Sequence, residues 1–113
     1  MHEAAITESM VRLVLDQARE HDAQVVRKVT VVLGAMSGVV AESMRFYFAE
    51  FTRGTIAGDA VLEVRAVPTK ANCLSCGHGF ELEDSLWLCP ECGDRRLDIV
   101  EGKELMVDSI EVD

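Results

Sequence analysis

The sequence has few basic residues and no long apolar run, and both absences limit what the protein can do. Its 113 residues include 11 lysines and arginines against 20 aspartates and glutamates, a formal net charge of −9. A surface of this sign repels phosphate backbones, so general nucleic-acid binding is disfavoured. No apolar stretch approaches the ~18 residues of a membrane span, and no basic segment leads into an apolar one at the start. We therefore expect a cytoplasmic protein without a secretory signal and without nucleic-acid or membrane partners.

The sequence also lacks the residue combinations that carry common catalytic chemistry. It has no Ser/His/Asp set, no phosphate-cradling loop and no paired-carboxylate arrangement. With 49% hydrophobic and 27% charged residues, it has the composition of a folded globular chain about one domain long. We therefore expect a folded protein that is not an enzyme.

The four cysteines lie within twenty residues of one another and form a C-x2-C-x12-C-x2-C pattern. They are Cys73, Cys76, Cys89 and Cys92. In a reducing compartment, such a cluster indicates a metal site and not a disulfide framework. Each pair predicts a tight turn, here called a knuckle, from which two thiolates converge. Two knuckles form a closed tetrahedral cage that suits structural Zn(II), a metal that holds the fold and performs no chemistry.

Three other readings of the cysteine pattern remain open at this point. An iron site of rubredoxin type uses the same four ligands, and it would make the protein an electron carrier. A redox dithiol usually lies on a thioredoxin-like βαβ unit, which this hairpin does not resemble. A nucleic-acid zinc ribbon conflicts with residues 70–96, which carry three basic and five acidic side chains. Gly77 and Gly93 are expected to let the chain bend immediately after each knuckle, where a side chain could crowd the sulfurs.

Helical spacing of apolar residues predicts two helices. The first spans Ala4–Asp22, and the second spans Ala41–Arg53. The apolar face of the first helix is predicted to comprise Ile6, Met10, Leu13, Val14 and Ala18. In the second helix, Met44, Tyr47, Phe48 and Phe51 recur at helical spacing. This helix is expected to supply much of the core because it carries four of the six aromatic residues, Phe46, Tyr47, Phe48 and Phe51.

β-branched or alternating segments predict three strands, at Lys28–Leu33, Ala60–Val67 and Glu104–Val112. The strand–helix–strand order indicates a right-handed parallel crossover. We therefore expect an α+β (α/β) fold, in which two helices cover one face of a small three-stranded mixed sheet. The predicted α/β domain comprises residues 1–69 and 102–113. Residues 70–101 form an inserted zinc-binding domain, a zinc-ribbon-like lobe that needs a metal because so short a unit has little core.

The sequence begins Met1-His2-Glu3, which is a candidate metal chelator. The bulky second residue is expected to leave Met1 in place with a free amine. That amine, the His2 backbone nitrogen and the His2 imidazole could bind one metal in a plane, an arrangement that favours Ni(II) or Cu(II). Glu3, or a distant side chain such as His78, would complete the site. A histidine at position two also occurs often by chance, so these residues alone do not identify a transported metal.

The sequence as a whole resembles the HypA/HybF family of nickel metallochaperones for [NiFe] hydrogenase maturation. The resemblance covers essentially the full length, and one departure is Ala35, where the family commonly has glutamate. The segments that carry it are Met1-His2-Glu3, LGAMSGV at 33–39, GTIAGDAVLEVRAVP at 54–68, both knuckles, and GKELMVDSIEV at 102–112.

The resemblance implies a non-enzymatic carrier with two metals. Ni(II) would be transported at Met1, His2 and Glu3 in the α/β domain, and zinc would be structural at the four cysteines. The implied partners are the maturation GTPase HypB and the hydrogenase large-subunit precursor, and some family members also supply nickel to urease. A zinc-ribbon interaction module without transported metal and a rubredoxin-like iron protein are the alternatives.

Overall fold

The computed structural model describes residues 3–82 and 87–113, so Met1, His2 and residues 83–86 lie outside the described part. The elements, in chain order, are α1 (Glu3–Glu20), β1 (Val26–Gly34), α2 (Ala41–Thr52), β2 (Val61–Val67), β3 (Lys70–Cys73), β4 (Gly79–Glu81), β5 (Leu97–Glu101) and β6 (Leu105–Val112). No helix in the described residues is both long and apolar enough to cross a membrane.

The strands form two sheets of three strands each. The first sheet has the order β2-β1-β6, with β1 parallel to β2 and antiparallel to β6. The second has the order β4-β3-β5 with both pairings antiparallel, and it lies within residues 70–101. The expected α+β fold with two helices and a mixed three-stranded sheet is confirmed, and the metal-binding lobe has a three-stranded sheet of its own. The domain boundaries at 69/70 and 101/102 stay a prediction.

The helix α1 ends two residues earlier than its apolar spacing predicts. Asp22 adopts a positive φ of 53°, and the Ala23 amide donates to the Ala18 carbonyl at 2.9 Å. This is a left-handed C-terminal cap, a conformation that aspartate tolerates better than most residues. The cap turns the chain directly into β1, so that α1 and β1 run in opposite directions.

The core lies between the two helices and one face of the first sheet. Val14, Ala18, Val29, Val31 and Met44 are at most 1% exposed. One predicted core position is wrong, because α1 is rotated from the expected orientation: Leu13 is 48% exposed while Val11 is buried. In α2, Met44 and Phe48 are buried and Tyr47 and Phe51 are partly buried, as their helical spacing predicts.

The loop after β1 forms hydrogen bonds at both connections between the two sheets, the first leading from the end of β2 to β3 and the second from β5 to β6. The Ala35 amide donates to the Val67 carbonyl at 2.9 Å, and the Met36 amide donates to the Gly102 carbonyl at 2.7 Å. Gly34 lies so close to the second connection that an added Cβ would stand 2.1 Å from the Gly102 carbonyl oxygen. Gly102 itself has a φ of 118°, which only glycine adopts without strain.

We predict that Gly34→Ala destabilises the protein, because its Cβ would collide with backbone atoms that cannot rotate away. Overpacking of this kind costs about 1–3 kcal/mol. Chemical denaturation of the zinc-loaded protein, followed by circular dichroism, measures the change. Gly58→Ala is the matched control, since its nearest non-neighbouring atom would be the Thr55 carbonyl oxygen at 3.3 Å. Equal stability of the two variants would contradict the prediction.

Candidate metal centre

The first knuckle is a tight turn at the end of β3. The Cys73 amide donates to the His78 carbonyl at 2.9 Å, and the Gly77 amide donates to the Cys73 carbonyl at 2.9 Å. Gly77 has a φ of 78°. The Cys76 amide points toward the Cys73 sulfur at 3.5 Å. The two sulfurs of this pair therefore face the same side of the turn.

The second knuckle repeats this pattern of backbone hydrogen bonds. The Cys89 amide donates to the Asp94 carbonyl at 2.8 Å, the Gly93 amide donates to the Cys89 carbonyl at 2.8 Å, and the φ of Gly93 is 76°. The expectation that these glycines let the chain bend after each knuckle is confirmed, because the turn needs a positive φ. A Cβ at Gly77 or Gly93 would meet no atom within 4 Å apart from its own chain neighbours, so it would not crowd the sulfurs of Cys73 or Cys89.

The two knuckles bring the four sulfurs into one cluster. The Cys73 and Cys92 sulfurs are 3.6 Å apart, and so are those of Cys76 and Cys89. All four lie within 4.8 Å of one another, and no disulfide joins them. A tetrahedral site with Zn–S bonds of about 2.3 Å requires sulfurs about 3.8 Å apart. The donor set and its spacing therefore fit a tetrahedral metal ion.

The thiols of this cluster do not ionise alike. The pKa of Cys73 is lowered to about 7, chiefly because the Cys76 amide donates to its sulfur. Burial opposes this shift, and the Ser75 amide adds to it by also donating to the sulfur. At Cys92 the Asp94 amide favours the thiolate, but the hydrogen bond with Cys73 and burial outweigh it and raise the pKa to about 12. Four thiolates at this spacing repel one another, so their joint deprotonation requires a cation such as Zn(II).

A polar bridge joins the two knuckles outside the sulfur cluster. Ser75, within the first knuckle, donates its hydroxyl to the Asp94 carboxylate that follows the second knuckle. The Arg96 guanidinium donates through Nη2 to Asp94 Oδ2 at 2.9 Å and to Ser75 Oγ at 2.8 Å. The pKa of Asp94 is held well below its usual value, first by the Arg96 hydrogen bond and then by the Ser75 hydroxyl. Sequence reasoning missed this bridge because its members are 19 and 21 residues apart along the chain.

The expected nickel ligands are only partly within the described residues. Glu3 is the first residue of α1, and its Oε2 accepts a hydrogen bond at 3.2 Å from the amide of Val40, which caps the N-terminus of α2. The topology explains this contact, since both helices run opposite to β1 and therefore begin at the same end of the sheet. Met1 and His2 lie outside the described residues, so their role as ligands stays a prediction.

The two histidines within the described residues have local contacts. The His21 Nδ1 lies 2.9 Å from the Gln17 carbonyl oxygen in the last turn of α1. The His78 ring stacks on Phe80, with centroids 5.7 Å apart. Neither belongs to a group of three or more potential metal ligands among the described residues. Participation of His78 in a site with Met1 and His2 stays a prediction.

Comparison with known families and sequences gives one consistent result. The profile of a family described as hydrogenase/urease nickel incorporation, metallochaperone, hypA matches residues 1–112. The hydrogenase maturation factor HypA of Dehalococcoides mccartyi is 38% identical over 113 residues, which cover all of this chain and 95% of the relative. A protein of the same name from Rhodopseudomonas palustris is 41% identical over 113 residues, with full coverage of both chains.

Two solved structures share the fold. The solution structure of the Ni metallochaperone HypA from Helicobacter pylori aligns with a TM-score of 0.67 at 24% identity, covering 99% of this chain and 97% of the other. A second solution structure of a HypA protein aligns with a TM-score of 0.73 at 24% identity, with coverage of 99% and 96%. At this identity the likeness shows the arrangement of both sheets and both helices, and nothing about bound metals.

Proposed function

Because the chain belongs to the HypA family of nickel metallochaperones for hydrogenase maturation, we propose that it binds Ni(II) through Met1, His2 and Glu3. It then delivers the ion to the large subunit of a [NiFe] hydrogenase. The observation that carries the proposal is the family match, which begins at residue 1 and so includes this tripeptide. The ion is cargo, passed on by exchange of ligands, and the protein acts as a carrier and not as an enzyme.

The position of the tripeptide favours a site that both accepts and releases metal. The contact between Glu3 and Val40 attaches the start of α1 to the start of α2. The Glu3 end of the tripeptide is thereby fixed. Nitrogen donors from Met1 and His2 would select Ni(II) or Cu(II) over Zn(II).

We assign the four cysteines to structural zinc and the two parts of the chain to separate tasks. Residues 1–69 and 102–113 would form the nickel-binding domain, and residues 70–101 would form the zinc-binding domain. Cys73, Cys76, Cys89 and Cys92 would hold the zinc, which supplies only the cross-link that shapes this lobe for docking. The partners in this proposal are a HypB-type GTPase, the hydrogenase large-subunit precursor and, for urease, its maturation proteins, all in the cytoplasm.

A blocked N-terminus tests the proposal most directly. We expect the native-ended, zinc-loaded protein to bind one Ni(II) per chain in calorimetry. A Gly-Ser extension before Met1 should abolish this binding, because it moves the amine away from the His2 imidazole. The zinc content and the circular dichroism spectrum of the two proteins should be identical. Unchanged nickel stoichiometry and affinity in the extended protein would remove the N-terminal site and leave a zinc-ribbon interaction module.

A further inference from the structure

The bridge of Ser75, Asp94 and Arg96 connects the two knuckles without using the sulfurs. Ser75 belongs to the first knuckle, whereas Asp94 and Arg96 both follow the second. A third connection supports them, since the Leu74 amide donates to the Arg96 carbonyl at 2.9 Å. The backbone repeat of the two knuckles does not extend to this bond, because Pro90 occupies the position equivalent to Leu74 and has no amide hydrogen.

Arg96 is the residue around which the bridge is organised. Its backbone amide donates to Asp94 Oδ1 at 3.0 Å, while its Nη2 reaches both Asp94 Oδ2 and Ser75 Oγ. The Arg96 Nε also lies 3.3 Å from Asp94 Oδ2, so two guanidinium nitrogens contact one carboxylate, a forked geometry that a lysine ammonium does not reproduce. The Asp94 side chain is 26% exposed and that of Arg96 is 73% exposed, so the ion pair alone contributes little to stability.

The bridge affects the metal because it fixes the distance between the knuckles. A zinc ion leaves a four-sulfur site when one pair of ligands swings away from the other pair. Polar groups outside the ligand set that orient the ligands typically change metal affinity by about 10–100-fold. The Arg96 charge also interacts favourably with the Cys73 and Cys92 thiolates, which carry excess negative charge even when zinc is bound.

We propose that Arg96 is a positioning residue of the zinc site, which acts through Asp94 and Ser75 to lock the two knuckles together and slow the loss of zinc. This inference rests on the proposed zinc occupancy of the four cysteines. The proposal concerns the rate at which zinc is lost, which does not follow from the presence of four cysteine ligands alone. The lock keeps the structural ion in place while a second, exchangeable metal passes through the same small protein.

The test is the rate at which zinc passes from the full-length protein to an excess of the chromogenic chelator 4-(2-pyridylazo)resorcinol. We expect Arg96→Ala and Ser75→Ala each to accelerate zinc loss about 10-fold or more. The double variant should be no faster than Ser75→Ala, because Ser75 takes part in both side-chain hydrogen bonds between the knuckles and its removal already breaks both. Arg96→Lys should resemble Arg96→Ala, and Arg95→Ala is the matched control, since Arg95 makes no ion pair among residues 3–82 and 87–113.

The outcomes separate this inference from the zinc assignment. Wild-type protein without zinc would refute the assignment itself. Zinc-loaded protein whose release rate is unchanged in Arg96→Ala would refute only the lock. Acceleration in Arg96→Ala but not in Ser75→Ala would also refute the lock, since the guanidinium would then act by charge alone. A Co(II)-substituted sample adds a second readout, because a loosened cage should alter the thiolate-to-metal charge-transfer bands, whereas a general loss of stability should not.

Discussion

Cys73→Ala is expected to release the zinc and unfold residues 70–101, while the α/β part of the chain stays folded. The lobe has little else to hold it together. Its buried apolar side chains within the described residues are only Ala71, Cys73 and Cys89, and β4 is three residues long. Structural zinc contributes on the order of 10 kcal/mol to small metal-dependent units. A site with three sulfurs and an open position would forfeit much of that free energy.

Zinc analysis and amide hydrogen exchange measure this effect separately for the two parts of the chain. We expect zinc content to fall to near zero and protection across the knuckles to disappear, with protection in β1 and α2 retained. Leu74→Ala is the matched control, because Leu74 lies in the same knuckle, is 66% exposed and supplies no ligand atom. Full protection across residues 73–82 in the Cys73→Ala protein would show that the lobe folds without its metal.

His2→Ala is expected to abolish nickel binding without changing the fold. The substitution removes the imidazole and with it the six-membered chelate ring, so the planar set of nitrogen donors is lost. Calorimetry at neutral pH should show that nickel binding is lost. In the wild-type protein, affinity should decrease as the pH falls, because the amine and the backbone nitrogen must both lose a proton to bind.

Two other histidine substitutions make this experiment specific. His21→Ala should bind nickel like the wild type, since the His21 ring contacts the Gln17 carbonyl at the far end of α1. His78→Ala asks whether a side chain from the zinc lobe completes the nickel site. Wild-type affinity in the His2→Ala protein would mean that ligands other than the N-terminal nitrogens dominate.

The elements of the fold follow from local patterns in the sequence. Both helices and the three strands of the first sheet are close to their predicted bounds, because amphipathic spacing and β-branched runs act over a few residues. The parallel pairing of β1 with β2 also follows, because a helix that connects two neighbouring strands returns the chain to the same end of the sheet, so that the second strand runs parallel to the first. The sulfur cluster is also predictable from local sequence. Two cysteines separated by two residues form the same tight turn in both knuckles, independently of the surrounding fold.

Contacts between distant segments are not predictable in this way. Spacing alone assigns Leu13 to the buried face of α1, but the helix is rotated so that Val11 is buried instead. That rotation is set by how α1 packs on α2 and the sheet. In α2 the helical spacing was sufficient, since it includes Phe48, which is buried, and leaves out Phe46, which is exposed.

The sequence by itself determined the elements, the four-sulfur cage and the family, because each depends on residue types at short and regular spacing. The tertiary structure decided the close approach of Gly34 to Gly102, the contact between Glu3 and Val40, and the bridge of Ser75, Asp94 and Arg96. Each of these joins residues at least 19 positions apart in the chain. Such pairs meet only in the folded chain, and their geometry is set by the packing of whole elements.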